Sequence, residues 1–149
     1  MKSSDARLLS LTLATLFASS VQASGHVPPM PMPAQSFASF DACVEKLRQM
    51  YAEHMTGAKD GPQPFKDSAT REKKVDTQGV ASNGRDEAHY NVEVGWEIRA
   101  PGGDAIGNHW IMTNYTYERF AWTCSGATLS GTREGGFASP GFQPVPQGM

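Results

Sequence analysis

The chain has 149 residues, 13 Lys and Arg against 15 Asp and Glu, and a formal net charge of −2. Its basic residues are scattered apart from a short REKK at 71–74. No basic stripe interleaved with aromatics exists, so nucleic acid is not an expected partner.

In chain order, the first segment reads as a targeting signal. Lys2 and Arg7 precede an apolar run from Leu8 to Ala18, and Val21 and Ala23 fit a small-residue cleavage site. Residues 1–23 are therefore expected to be a signal peptide, cut between Ala23 and Ser24. The run is too short and too rich in Ser and Thr to span a bilayer. The membrane is then met only through the signal, and the expected location is periplasmic or secreted. One domain is what the remaining length allows.

Residues 24–36, SGHVPPMPMPAQS, are Pro- and Met-rich without periodicity and predict a flexible arm. Next comes an amphipathic helix. Phe40, Cys43, Val44, Leu47, Met50, Tyr51 and Met55 recur at helical spacing, with Ser39 or Asp41 to cap it and Gly57 to end it. KKVDTQGVA predicts a weak strand, and Asn83-Gly84 a hairpin turn. EAHYNVEVGWEIRA predicts the best strand, with Ala88, Tyr90, Val92, Val94, Trp96 and Ile98 on one face and His89, Asn91, Glu93, Glu97 and Arg99 on the other. PGGD is read as a turn, and NHWIMTNYTYERF and FAWTCSGATL as two further strands. Residues 133–149 are Gly- and Pro-rich and predict a disordered tail. The expected fold is α+β over 37–132: one N-terminal helix packed on an antiparallel meander of about four strands.

Cys43 and Cys124 are the only cysteines. In an oxidising compartment, without a CxxC pair or clustered zinc ligands, they predict one disulfide joining the helix to the last strand. A loop of about 80 residues closed this way is worth roughly 4.5 kcal/mol in chain entropy.

Three functional readings follow. The first is non-catalytic binding of a protein, peptide or glycan in the cell envelope, through a sheet face carrying Tyr115, Tyr117, Arg119, Glu93 and Glu97. The second is a metal arm. A mature terminus at Ser24-Gly25-His26 can offer four nitrogens in a square plane to copper or nickel, and the thioethers of Met30 and Met32 suit Cu(I). These nine residues resemble the His- and Met-rich arms of exported copper-handling proteins. A further soft site at Met50 and His54 competes with an ordinary packing role.

The third reading is acid–base cleavage of a phosphodiester by His89, Glu93, Arg99 and His109, which supply base, acid and cation. It requires Ile98 to face Trp110, so that Arg99 adjoins His109 and His89 adjoins Arg119. By analogy, small secreted ribonucleases also carry such residues on a helix-backed sheet. No phosphate-binding Gly loop, nucleophile elbow, HExxH or calcium loop is present. Binding ranks first because it needs no special catalytic geometry.

Overall fold

The computed structural model describes residues 24–103 and 109–144, without the side chains of 24 and 139–144. The expected signal peptide lies outside the described residues. Six strands form one antiparallel sheet in the order β1-β6-β5-β4-β3-β2, with one helix against it. The strands are β1 (Ser24–Ser36), β2 (Gln63–Pro64), β3 (Thr70–Ser82), β4 (Glu87–Gly103), β5 (His109–Ser125) and β6 (Thr128–Pro144), and the helix α1 is Phe40–Met55.

Six strands replace the expected four, and the reason lies in the two segments read as unstructured. The Pro-rich stretch is β1, and the Gly-rich stretch forms most of β6. Proline is tolerated in β1 because that strand is at the sheet edge, with β6 its single neighbour. Irregularities at Val27/Met30 and Met32/Gln35 absorb Pro28, Pro29 and Pro33. The glycines of β6 lie beneath aromatics of adjoining strands: Gly131 pairs with Trp122 and Gly136 with Tyr117. A Cβ at either position would clash with the ring across from it. These rings cover the backbone that glycine leaves bare.

The two segments read as separate strands, NHWIMTNYTYERF and FAWTCSGATL, are mostly one continuous β5. Thr128 and Leu129 instead open β6, after a two-residue turn of Gly126, at φ +53°, and Ala127. PGGD is also corrected. Pro101 to Gly103 continue β4, paired with β5 as far as Gly103 and His109; residues 104–108 lie outside the described residues. A hairpin does join β3 to β4 at Asn83-Gly84, but through residues 83–86, with Gly84 at φ +85° and Asn83 N–H donating to Glu87 C=O at 2.8 Å.

Ser39 caps α1, its hydroxyl accepting from Ala42 N–H at 3.2 Å, and Gly57 follows the end at φ +74°. Cys43, Val44 and Leu47 are buried against Ala88, Tyr90, Val92, Trp122, Cys124 and Leu129. Cys43 and Cys124 form a disulfide with Cα atoms 6.0 Å apart. It joins α1 to β5, an interior strand, because β6 continues the sheet beyond it.

Helix length limits this core. Sixteen residues of helix span about 24 Å, whereas a 17-residue strand runs about 56 Å. The helix covers the stretch from Ala88 to Val92 and leaves the far end of the same face open.

Candidate functional site

On the face away from α1, alternation along β4 and β5 presents Glu93, Glu97, Arg99, Tyr115, Tyr117 and Arg119, the faces assigned from sequence. The expected register is four residues off. Glu93 pairs with Arg119, Glu97 with Tyr115, and Arg99 with Thr113. An even shift preserves the faces but changes every neighbour. Its cause is that β4 and β5 stay paired through Pro101 to Gly103, residues read as a turn.

This register concentrates charge around Arg119. Its Nε donates to Glu93 at 2.5 Å and a terminal nitrogen donates to Glu134 at 3.1 Å. Its guanidinium also lies 4.9 Å from the centre of the Tyr117 ring. The paired carboxylates hold its proton more firmly than usual. The Tyr115 hydroxyl donates to the other oxygen of Glu93 at 2.9 Å. Burial, and then this hydrogen bond to an anion, push Tyr115 up to about 12. Tyr115 and Tyr117 stack with ring centres 6.0 Å apart. Gly95 makes room for this, since a Cβ there would fall on the Tyr115 ring and hydroxyl.

Beside this network lies a cleft of about 670 Å³ across β3–β6, lined by Asp76, His89, Asn91, Glu93, Arg119 and Glu134 among others. Glu134, Asp76 and the cleft itself were not found from sequence. Glu134 lay in the presumed tail, Asp76 in a weak strand, and the cleft depends on four strands meeting.

The phosphodiesterase set is not assembled. His109 pairs with Gly103 and His89 with Thr123, 14 residues apart along β5, or about 46 Å. His89 contacts Glu87 at 2.6 Å and the Thr123 hydroxyl at 3.1 Å. Arg99 contacts Glu97 at 2.6 Å.

The metal arm is likewise divided. His26 pairs with Gly136 on the outer face, its Nδ1 3.4 Å from the Tyr117 hydroxyl. The irregularity after Val27 turns Met30 and Met32 to the inner face, where Met32 packs on the core. His26 and the thioethers therefore do not converge. Among the described residues no group of three His, Cys, Asp or Glu is placed to hold a metal.

His54 belongs to the core boundary. It stacks on Phe120 and Trp122, and its Nδ1 lies 3.0 Å from the Tyr90 hydroxyl. Burial, followed by nearby Lys73, lowers its pKa, while Glu53 opposes.

Comparison with protein-family models, with curated proteins and with solved structures found no match to this chain. The functional reading rests on the geometry of the sheet's surfaces.

Proposed function

We propose that this is a small exported, non-catalytic binding protein whose ligand sits on the outer face of the sheet. The observation that carries the reading is the fixed polar constellation at the cleft: Arg119 held between Glu93 and Glu134, beside the stacked Tyr115 and Tyr117. Side chains already locked by hydrogen bonds lose little freedom on binding. A cleft of about 670 Å³ falls within the roughly 300–1,000 Å³ usual for ligand sites.

The charge balance selects the ligand. Asp76, Glu93 and Glu134 outnumber Arg119 around the cleft, so the groups they favour are donors: ammonium, guanidinium or sugar hydroxyls. A peptide with basic residues, or a glycan, meets this description. Export after cleavage between Ala23 and Ser24 is part of the proposal, supported by the Cys43–Cys124 disulfide, a bond that persists in oxidising compartments.

The test is binding of the mature protein to arrays of basic peptides and envelope glycans, alongside the Tyr117→Ala and Glu93→Gln variants. The expected result is a set of ligands retained by the parent and weakened at least tenfold in both variants. Ligands bound equally by all three proteins would remove the outer face as the site.

A further inference from the structure

The end of the inner face that α1 leaves open carries a second cleft, of about 550 Å³. Its lining is mostly apolar, with Val27 and Met30 from β1, Val94 and Trp96 from β4, and Phe137 from β6, but Glu118, Arg133 and Glu134 also border it. Both of these carboxylates are already paired, Glu118 with Arg133 and Glu134 with Arg119. Val27, Met30 and Phe137 are each about half exposed. Large apolar side chains gathered at the surface mark a binding site more often than isolated ones do.

The cations beside it set this cleft apart. Arg71 pairs across β3 and β4 with Ile98, and Lys73 with Trp96, so both stand on the inner face beside the Trp96 wall. The Arg71 guanidinium lies 3.6 Å from the centre of the Trp96 ring and 5.6 Å from that of Phe65. Its Nε is buried and has no hydrogen-bond partner. The Lys73 ammonium lies 5.9 Å from the Trp96 ring and donates to the Thr56 carbonyl, a neutral group, at 2.7 Å. Among the described residues, neither cation has a carboxylate within ion-pair distance. Arg133, on the opposite side of the cleft, is paired with Glu118. The positive charge without a counter-ion therefore sits at the Trp96 end, and the apolar side chains of β6 and β1 lie beyond Thr116 and the paired Glu118 of β5.

We propose that this cleft binds a single-chain anionic amphiphile, its hydrocarbon chain over Val94, Phe137, Val27 and Met30 and its anionic head at Arg71 and Lys73. A planar guanidinium pairs with a carboxylate or phosphate through two parallel hydrogen bonds, and one held flat on an indole is already oriented to do so. The apolar walls supply the chain's burial, which scales with its length. This site opens on the opposite face of the sheet from the donor-selecting cleft, and the two have Glu134 in common.

Titration calorimetry of the mature protein with dodecanoate and with dodecanol, both kept monomeric, tests the assignment. Dodecanoate is expected to bind one molecule per chain and at least tenfold more tightly than dodecanol. Arg71→Met should reduce dodecanoate to the level of dodecanol. Phe137→Ser, at a half-exposed position, should weaken both. The proposal is overturned by equal affinity for the two probes, by dodecanoate affinity unchanged in Arg71→Met, or by several chains bound per protein. Binding confined to vesicles of anionic phospholipid, without monomer binding, also overturns it, since that outcome describes a membrane surface.

Discussion

The two faces of this sheet handle charge in opposite ways. On the outer face Arg119 is bracketed by Glu93 and Glu134, and the Tyr115 hydroxyl satisfies the remaining oxygen of Glu93. On the inner face Arg71 rests on an indole with no carboxylate partner, next to an apolar cleft. The same strands carry both, because alternation sends Glu93 one way and Val94 and Trp96 the other. The contrast shows how a small domain can offer two chemically distinct surfaces without a second domain. The outer surface has its charges paired internally and an excess of acid. The inner one has cations left over and exposed hydrocarbon, because its single helix is shorter than the strands it covers.

The largest expected effect comes from breaking what holds the covered end. Replacing both Cys43 and Cys124 by Ser should cost about 2–5 kcal/mol in urea denaturation, since the bridge spans 81 residues of sequence. The open end of the inner face should then lose its definition too, as α1 lifts from β5. Next is Gly95→Val. Its branched side chain would meet Tyr115, and overpacking of this kind costs about 1–3 kcal/mol. It should also separate the Tyr115 hydroxyl from Glu93, visible as a fall of the Tyr115 phenol toward an ordinary tyrosine value in ultraviolet titration. An unaltered titration would mean that the outer network does not depend on the glycine.

pH distinguishes the covered end further. The folded pKa of His54 lies below the unfolded value of 6.5, chiefly through burial. Both states are neutral well above 6.5, so the contribution is fully present there. It is lost as pH falls through 6.5 toward the folded pKa, where the unfolded chain binds the extra proton. Urea midpoints should therefore fall between pH 7.5 and pH 5, and His54→Phe should flatten that slope. Tyr90, pushed up to about 12 by burial and then by Tyr51, acts at the other extreme. Stability should fall as pH rises from 10 to 12, because the unfolded phenol ionises first.

What could be read from sequence was local or periodic. The helix stripe from Phe40 to Met50, the Ser39 cap, the Asn83-Gly84 turn and the two faces of β4 depend on neighbours within a few residues. The disulfide followed from there being only two cysteines, both on inward-facing positions. The missing third of the sheet was hidden because its signal is cross-strand. Phe137 opposite Gly25, Trp122 opposite Gly131 and Tyr117 opposite Gly136 are informative only once β1, β5 and β6 are aligned. Taken singly, each glycine and proline there looks like a linker residue. The register failed for a related reason: PGGD contains good turn residues, yet Gly102 serves as the bare patch beneath Trp110. Strands underestimated in length also concealed that a 16-residue helix cannot cover them, and so concealed the inner cleft.

The smallest expected effect is the most direct test of the contrast between faces. Arg119→Met removes two ion pairs, but Arg119 is half exposed, so solvent already screens them and the loss should be within about 1 kcal/mol. Arg71→Met removes a cation with no carboxylate partner and a buried Nε without an acceptor. It forfeits a cation–π contact worth about 0.5–1 kcal/mol near a surface, and a thioether over Trp96 restores much of that. Its net effect should be close to zero or slightly stabilising. Chemical denaturation of the two variants beside the parent protein measures the difference. If Arg71→Met proved the more damaging, the guanidinium would be a structural clamp on Trp96 and the faces would not differ in the way described. If Arg119→Met is the costlier and Arg71→Met is neutral, Arg71 is maintained at no benefit to folding, as a residue kept for a ligand would be.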